Sequence, residues 1–275
     1  MREEILIESR NNATVREYAK LTDKKYRSRE QSFLCDGAKL FAEAVAAGAR
    51  IEAVLLLCGR ENPIIVDTLA KMQADETYRD TRLYRLTQPV FDKLCDEKSP
   101  DGVITVIKCL DNFGKVYKIE RNDAEAMRGE KLMLLASVRD PGNLGTIVRS
   151  AAAFGFDRLI LSDDCADLYH PRTLRGAMGA LFRIKAETVT DFASAVTALR
   201  ASGRRVYAAE LRDGAVSADE VKPTAADCFV IGNEGHGIPP EISALCTGSV
   251  FIPIAPTSES LNAATAASIL AYIQR

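Results

Sequence analysis

The sequence predicts an α/β protein of two units, each a sheet flanked by helices. Three observations predict it. Short apolar runs alternate with helix-like stretches over residues 36–109, and again from 131 onward. A polar, charged segment, 110–130, separates the two alternations. In the second half, three turns rich in Gly, Asn or Ser each follow an apolar run and precede a helix. That pattern belongs to an open, mostly parallel sheet, whose ligands sit at the carboxyl ends of its strands. A chain of 275 residues, 47% hydrophobic, is long enough to bury two cores.

The elements follow in order. Residues 36–48 form a helix, with Asp36 as its N-cap and Gly48 as its stop. "IEAVLLLC" (51–58) is a buried strand, 63–74 a helix and 81–87 a strand. A short helix over 89–96 and a strand over 102–109 complete the first unit. In the second unit 131–138 is a strand and 140–145 a turn, with Asn143 as cap of a helix over 144–155. The strand 157–162 closes a right-handed βαβ unit. A short helix (171–179), the strand "LFRIKA" (181–186), a helix (191–203) and a strand (204–211) come next. The strand ending at Gly232 leads through a glycine turn to another helix. A strand at 249–254 precedes the terminal helix, with Ser258 or Ser260 near its start.

Composition narrows the function. No apolar run approaches the roughly 20 residues that span a membrane. The opening "MREEILIESRNN" is too polar and acidic for a signal peptide, so the expected compartment is the cytosol. The seven cysteines include no C-x-x-C pair and read as free thiols. With two histidines, no metal site is expected. Between Arg10 and Arg29 stand seven basic residues and only two acids. Arg10, Arg16, Lys24, Lys25, Arg27 and Arg29, with Tyr18 and Tyr26 interleaved, suit contact with an RNA backbone. A solvated helix face would read the same way from composition alone.

The turns exclude familiar chemistries. "VIGNEGHGIP" spaces its glycines as G-x-x-G-x-G, which is neither a dinucleotide fingerprint nor a phosphate-binding P-loop. No G-x-S-x-G supports a serine hydrolase. Glu234 inside the turn opposes a bound phosphate. What remains are loops of Asn, Ser and Gly, suited to orienting a cofactor that carries its own reactive group.

"DPGNLGTIVRSAAAFGFDRLIL", "FVIGNEGHGIP" and "IPIAPTSESLNAATAAS" resemble, in order and spacing, the three motifs of the SpoU (TrmH-like) RNA 2′-O-ribose methyltransferases of the SPOUT superfamily. The resemblance covers 131–275. Residues 1–109 are similar, more loosely, to the family's L30e-like RNA-binding domain, with 110–130 as linker. The resemblance implies a trefoil-knotted α/β domain that binds S-adenosylmethionine and works as a homodimer. It implies cofactor contacts at Gly232, Ile252 and Leu261, and active-site roles for Asn143, Arg149, Glu234, Ser260 and Asn262. "AATA" after Asn262 departs from the usual Val-Ser-Val-Ala. Arginine is hard to deprotonate, so Arg149 is expected to hold phosphate or ribose and to stabilise alkoxide charge rather than act as a base. The expected substrate is ribosomal RNA. The alternatives are transfer RNA and a non-catalytic RNA-binding assembly factor.

Overall fold

A computed structural model describes residues 4–95, 97, 99–110 and 118–275. The described residues up to 110, together with Tyr169–Phe182, form one compact unit; 118–168 and Arg183–Arg275 form the other. In chain order the elements are β1 (Glu4–Ile7), α1 (Ala13–Lys20), α2 (Lys24–Glu30), β2 (Ser32–Asp36), α3 (Ala38–Ala46), β3 (Ile51–Leu57), α4 (Pro63–Ala74), β4 (Arg82–Leu86), α5 (Gln88–Phe91) and β5 (Val103–Lys108). Then come α6 (Arg121–Ala126), β6 (Leu132–Leu135), α7 (Pro141–Ala153), β7 (Arg158–Ser162), α8 (Pro171–Ala177), β8 (Lys185–Val189) and α9 (Phe192–Ala201). The chain ends with β9 (Arg205–Ala209), β10 (Val216–Ser217), β11 (Asp227–Ile231), α10 (Pro240–Leu245), β12 (Gly248–Phe251) and α11 (Ala263–Ile273).

The first unit is a five-stranded mixed sheet in the order β1-β4-β3-β5-β2. The sequence reading missed β1, α1, α2 and β2, which are short and lie in charged surroundings. Side-chain caps still start the helices: Asn12 accepts from Thr14 N, and Asp23 from Lys25 N. Asp36 is not the N-cap of α3. It ends β2, pairing with Ile104, and its Oδ2 accepts from Cys95 Sγ at 2.8 Å. Asp101, remote in sequence, instead accepts from Ala38 N at 3.0 Å. Gly48 stops α3 as expected, at φ +67, where a side chain would be strained. Asp96, in the expected helix 89–96, lies outside the described residues, as do 111–117 of the expected linker.

The second unit is a seven-stranded sheet in the order β10-β12-β9-β11-β6-β7-β8, every pairing parallel. Its central strands are buried along their whole length, which is why they read as continuous apolar runs. Leu132, Leu134, Val206, Ala208, Cys228 and Val230 join Val196 and Leu199 of α9 in one core. Two expectations change here. Ala124 and Met127, inside the supposed linker, belong to this core, so α6 is an integral element. "LFRIKA" is not one strand: Ala180–Phe182 form a 3₁₀ turn, and β8 starts at Lys185.

Residues 169–182, expected with the second unit, pack within the first. Tyr169 is 1% exposed and stacks on Phe33 with ring centroids 4.4 Å apart. Its hydroxyl accepts from Leu110 N at 2.7 Å. His170 caps α8: its Nδ1 accepts from Arg172 N. Tyr169→Ala is expected to lower stability by about 3 kcal/mol, the cost of emptying a buried aromatic site. Urea denaturation monitored on the first unit measures it; a loss below 1 kcal/mol contradicts the assigned packing.

Candidate active site

Three loops meet at the carboxyl ends of the parallel strands. They follow β6, β11 and β12, and each carries one of the motifs found in the sequence. The middle loop contributes Glu234, whose carboxylate collects donors from the first. Asn143 Nδ2 donates to Glu234 Oε1 at 2.9 Å, and Asp140 N does so at 3.3 Å. Arg139 N reaches Oε2 at 3.4 Å. The third loop joins through the other end of the same amide: Asn262 Nδ2 donates to Asn143 Oδ1 at 2.9 Å. A single chain of side chains, Glu234–Asn143–Asn262, therefore ties all three loops together.

Local structure makes this chain possible. Asn143 is not the cap of α7. The helix begins at Pro141, and Asp140 is the N-cap, accepting from Asn143 N at 2.9 Å. That frees the Asn143 amide to bridge its two neighbours. At the third loop Asn262 caps α11, accepting from Ala264 N at 2.9 Å and Thr265 N at 3.2 Å. Its Oδ1 serves the helix while its Nδ2 serves the bridge. Ser258 and Ser260 lie before the helix, not in it. In the middle loop Asn233 and Gly237 pair backbone to backbone, and Asn233 Oδ1 accepts from Gly235 N at 2.9 Å. Gly232 is fixed by crowding: a Cβ there would lie 2.4 Å from the carbonyl carbon of Gly237.

The sequence reading missed a second anchor beneath the first loop. Asp164 accepts from Ser162 Oγ at 2.6 Å, Ser137 Oγ at 2.7 Å and Arg139 Nη2 at 2.8 Å. Burial raises the Asp164 pKa, but these hydrogen bonds outweigh it and leave the carboxyl at about 2. Ser137 adopts φ +59, and Asn233 Nδ2 donates to its carbonyl at 2.8 Å. Nothing in the local sequence marks Ser137 for a left-handed conformation. Asn233 did carry a signal, since Asn-x-Gly favours a side-chain-closed turn.

A cleft of about 380 Å³ opens beside the bridge, in the size range of small-molecule sites. Its lining includes Ile252, Leu261 and Ser260, so the structure brings together two expected cofactor contacts and one expected active-site residue. Gly232 is not part of this lining; its place is the turn. Arg149 stands on α7, six residues beyond Asn143 and thus about 9 Å along the axis. It is exposed, and among the described residues it makes no side-chain hydrogen bond or ion pair. Among the described residues no group of three or more His, Cys, Asp or Glu is placed to hold a metal.

Comparison with known proteins matches residues 131–272 to the model of the SpoU rRNA methylase family. The chain belongs to the SpoU rRNA methylase family. Residues 12–105 match the MRM3-like substrate-binding domain. The 23S rRNA (guanosine(2553)-2′-O)-methyltransferase RlmP of Bacillus subtilis is 30% identical, over 97% of both chains. Among solved structures, the AdoMet-bound rRNA methyltransferase of Sinorhizobium meliloti is 28% identical, with a TM-score of 0.82 over 98% of this chain and 97% of that one. The SpoU methyltransferase AviRb of Streptomyces viridochromogenes, in complex with AdoMet, is 25% identical, with a TM-score of 0.77 over 96% and 97%. The matched region takes in the whole parallel sheet together with 169–182, and the three bridged loops lie within it.

In the first unit the basic stretch divides. Arg16, Lys24 and Lys25 are exposed, and among the described residues their side chains make no hydrogen bond or ion pair. Arg10 Nε donates to Pro89 O, and Arg29 pairs with Glu30 at 2.6 Å while stacking over Tyr26. Arg27 is a correction. It is 3% exposed, with its guanidinium donating to Leu21 O, so it stabilises the fold and is not available to RNA.

Two outcomes are expected. Gly232→Ala forces backbone against backbone and should cost about 2 kcal/mol in thermal unfolding; an unchanged midpoint contradicts the crowding. Asp164 has a folded-state pKa below its ordinary value of 3.8. Its stabilisation is therefore full above pH 4 and lost as pH falls toward 2. Asp164→Asn should cost about 1 kcal/mol at pH 7, a charge-assisted hydrogen bond discounted for exposure, and the deficit should shrink below pH 4. Denaturation midpoints at pH 7 and pH 3 read the difference.

Proposed function

We propose that this protein is an S-adenosylmethionine-dependent RNA 2′-O-ribose methyltransferase that acts on ribosomal RNA. The observation that carries the proposal is the Glu234–Asn143–Asn262 bridge, which holds all three family motifs beside an apolar cleft. Membership of the SpoU family and the AdoMet-bound relatives support the same reading. S-adenosylmethionine suits this cleft because it brings apolar and stacking surface, no phosphate and a net positive charge from its sulfonium and ammonium, so a nearby carboxylate does not repel it. When bound, it supplies the methyl group of its sulfonium.

The residues of the chain do the rest. Ile252 and Leu261 offer apolar lining and backbone groups to the cofactor, and the turn at Gly232 supports the loop from below. Arg149 has a guanidinium with no partner among the described residues, the state expected of a group reserved for a phosphate or for a ribose oxygen gaining negative charge. The bridge keeps α7, which carries both Asn143 and Arg149, in register with the third loop. Ser260 lines the cleft and is suited to orient ribose or cofactor. Catalysis rests on positioning and electrostatics, without a covalent enzyme intermediate.

The substrate-binding match of the first unit supports its assignment as the RNA-binding domain, with Arg16, Lys24 and Lys25 as phosphate contacts, joined by Arg10 and Arg29 at the edge of the patch. A trefoil-knotted second domain and a homodimeric, cytosolic state complete the proposal.

The test is transfer of labelled methyl from S-adenosylmethionine to ribosomal RNA, followed by alkaline hydrolysis. Label in an alkali-resistant dinucleotide is the expected result. Label in a mononucleotide indicates a methylated base, and no incorporation despite tight RNA binding indicates an assembly factor; either overturns the proposal. Arg149→Ala should lower the single-turnover rate by roughly 100-fold or more. The wild-type rate should stay flat across neutral pH; a rate that titrates there and loses its titration in Arg149→Lys points to Arg149 as a base.

A further inference from the structure

The cleft beside the three loops contains a carboxylate that no motif singled out. Glu210 follows β9 directly and lines the cleft with Ile252, Leu261 and Ser260. Its setting is unusual for a strand-end glutamate. The side chain is 21% exposed, and one oxygen, Oε1, accepts from three groups: Ser243 Oγ, Ser249 Oγ at 2.8 Å and Arg212 Nη1 at 3.4 Å. Arg212 Nη1 also donates to Ser243 Oγ at 2.6 Å, closing the cluster. Among the described residues Oε2 carries no hydrogen bond. Glu210 is thus a carboxylate with one oxygen fixed by the protein and one left as an acceptor.

We propose that Glu210 recognises the ribose of the bound cofactor, its Oε2 accepting from the hydroxyls of the adenosine 2′,3′-diol. This rests on the reading of the cleft as the S-adenosylmethionine site. Three arguments select the diol over the other donors of that molecule. The lining on either side of Glu210 is largely apolar, from Ala209, Val250, Ile252 and Leu261, and suits the flat face of an adenosine. A ribose hydroxyl placed there needs an acceptor, since an unmet polar group in such a site is costly. An ammonium is the weaker candidate, because Glu210 already shares its charge with the Arg212 guanidinium, which repels a second cation. Glu259, the other carboxylate lining the cleft, makes no hydrogen bond among the described residues, so nothing positions it in advance. Glu210 is preorganised, and a fixed acceptor discriminates between ligands at little ordering cost.

Calorimetric titration of the full-length protein tests the assignment, with S-adenosylmethionine, its 2′-deoxy and 3′-deoxy analogues and 5′-methylthioadenosine, which lacks the ammonium. The wild type should bind the ribose form roughly 10- to 100-fold more tightly than a deoxy form, the range of a hydrogen bond to a charged acceptor. In Glu210→Gln the amide oxygen satisfies the Ser243, Ser249 and Arg212 donors, and the amide nitrogen replaces the acceptor. Discrimination should then fall to within about twofold, with folding checked by thermal unfolding. Glu259→Gln should keep the wild-type preference. Discrimination that survives in Glu210→Gln overturns the proposal. So does a Glu210→Gln defect that disappears with 5′-methylthioadenosine, since the carboxylate would then be reading the cationic methionine end, its sulfonium or its ammonium. A wild type that binds no S-adenosylmethionine overturns the functional reading itself, a result distinct from either.

Discussion

The carboxylate of Glu234 is the constraint on which the active-site edge depends. Three loops from strands β6, β11 and β12 must converge, and loops bring unpaired backbone donors with them. Glu234 accepts from two of those donors, Arg139 N and Asp140 N, and from the Asn143 amide. Asn143 passes the connection to Asn262. A carboxylate is suited to this task because it only accepts, through two oxygens. Glutamine there would turn an NH₂ group toward donors. Asparagine is suited to the middle place because it donates from one end and accepts at the other.

The anchors around this bridge share one device. A short side chain serves its own helix or turn with one atom and a distant loop with another. Asn262 caps α11 and reaches Asn143. Asn233 closes its own turn and reaches the Ser137 carbonyl. Asp164 gathers Ser137 and Arg139 from the loop after β6 and Ser162 from the end of β7. The first and middle loops are thereby held on two sides and the third through Asn262, so the functional groups stand on elements that do not need a ligand to find their place. Arg149 is the counterexample. It is left without a partner among the described residues, as a group that meets its partner in the substrate would be.

The strand ends also sort the chemistry by depth. Below the loops, the sheet is apolar on both faces, with Leu132 to Leu135 and Cys228 to Ile231 buried. At the edge the polar residues appear together: Ser137 and Asn143 after β6, Glu210 after β9, Asn233 and Glu234 after β11, Ser260 and Asn262 after β12. Seven parallel strands place every carboxyl end on the same side, so residues scattered over 137–262 become neighbours.

Much of this was written in the chain itself. The apolar runs located the inner strands of both sheets, because a strand buried on both faces must be apolar throughout. Spacing and order of the three motifs identified Asn143, Glu234 and Asn262, which the structure joins, and Ile252, Ser260 and Leu261, which it brings to one cleft. Short or charged elements such as β1, α2 and β2 were not legible, since their stability comes from neighbours rather than from their own pattern. Capping was misread at Asp36 and Asn143, because a cap can be supplied from far away, as by Asp101, or by a nearer residue, as by Asp140. The burial of Arg27, the packing of 169–182 within the first unit and the cluster around Glu210 were decided only by tertiary structure. A composition gives each side chain its chemistry. Which atoms meet, and which oxygen is left over, depends on a chain path that brings residues more than a hundred positions apart within 3 Å.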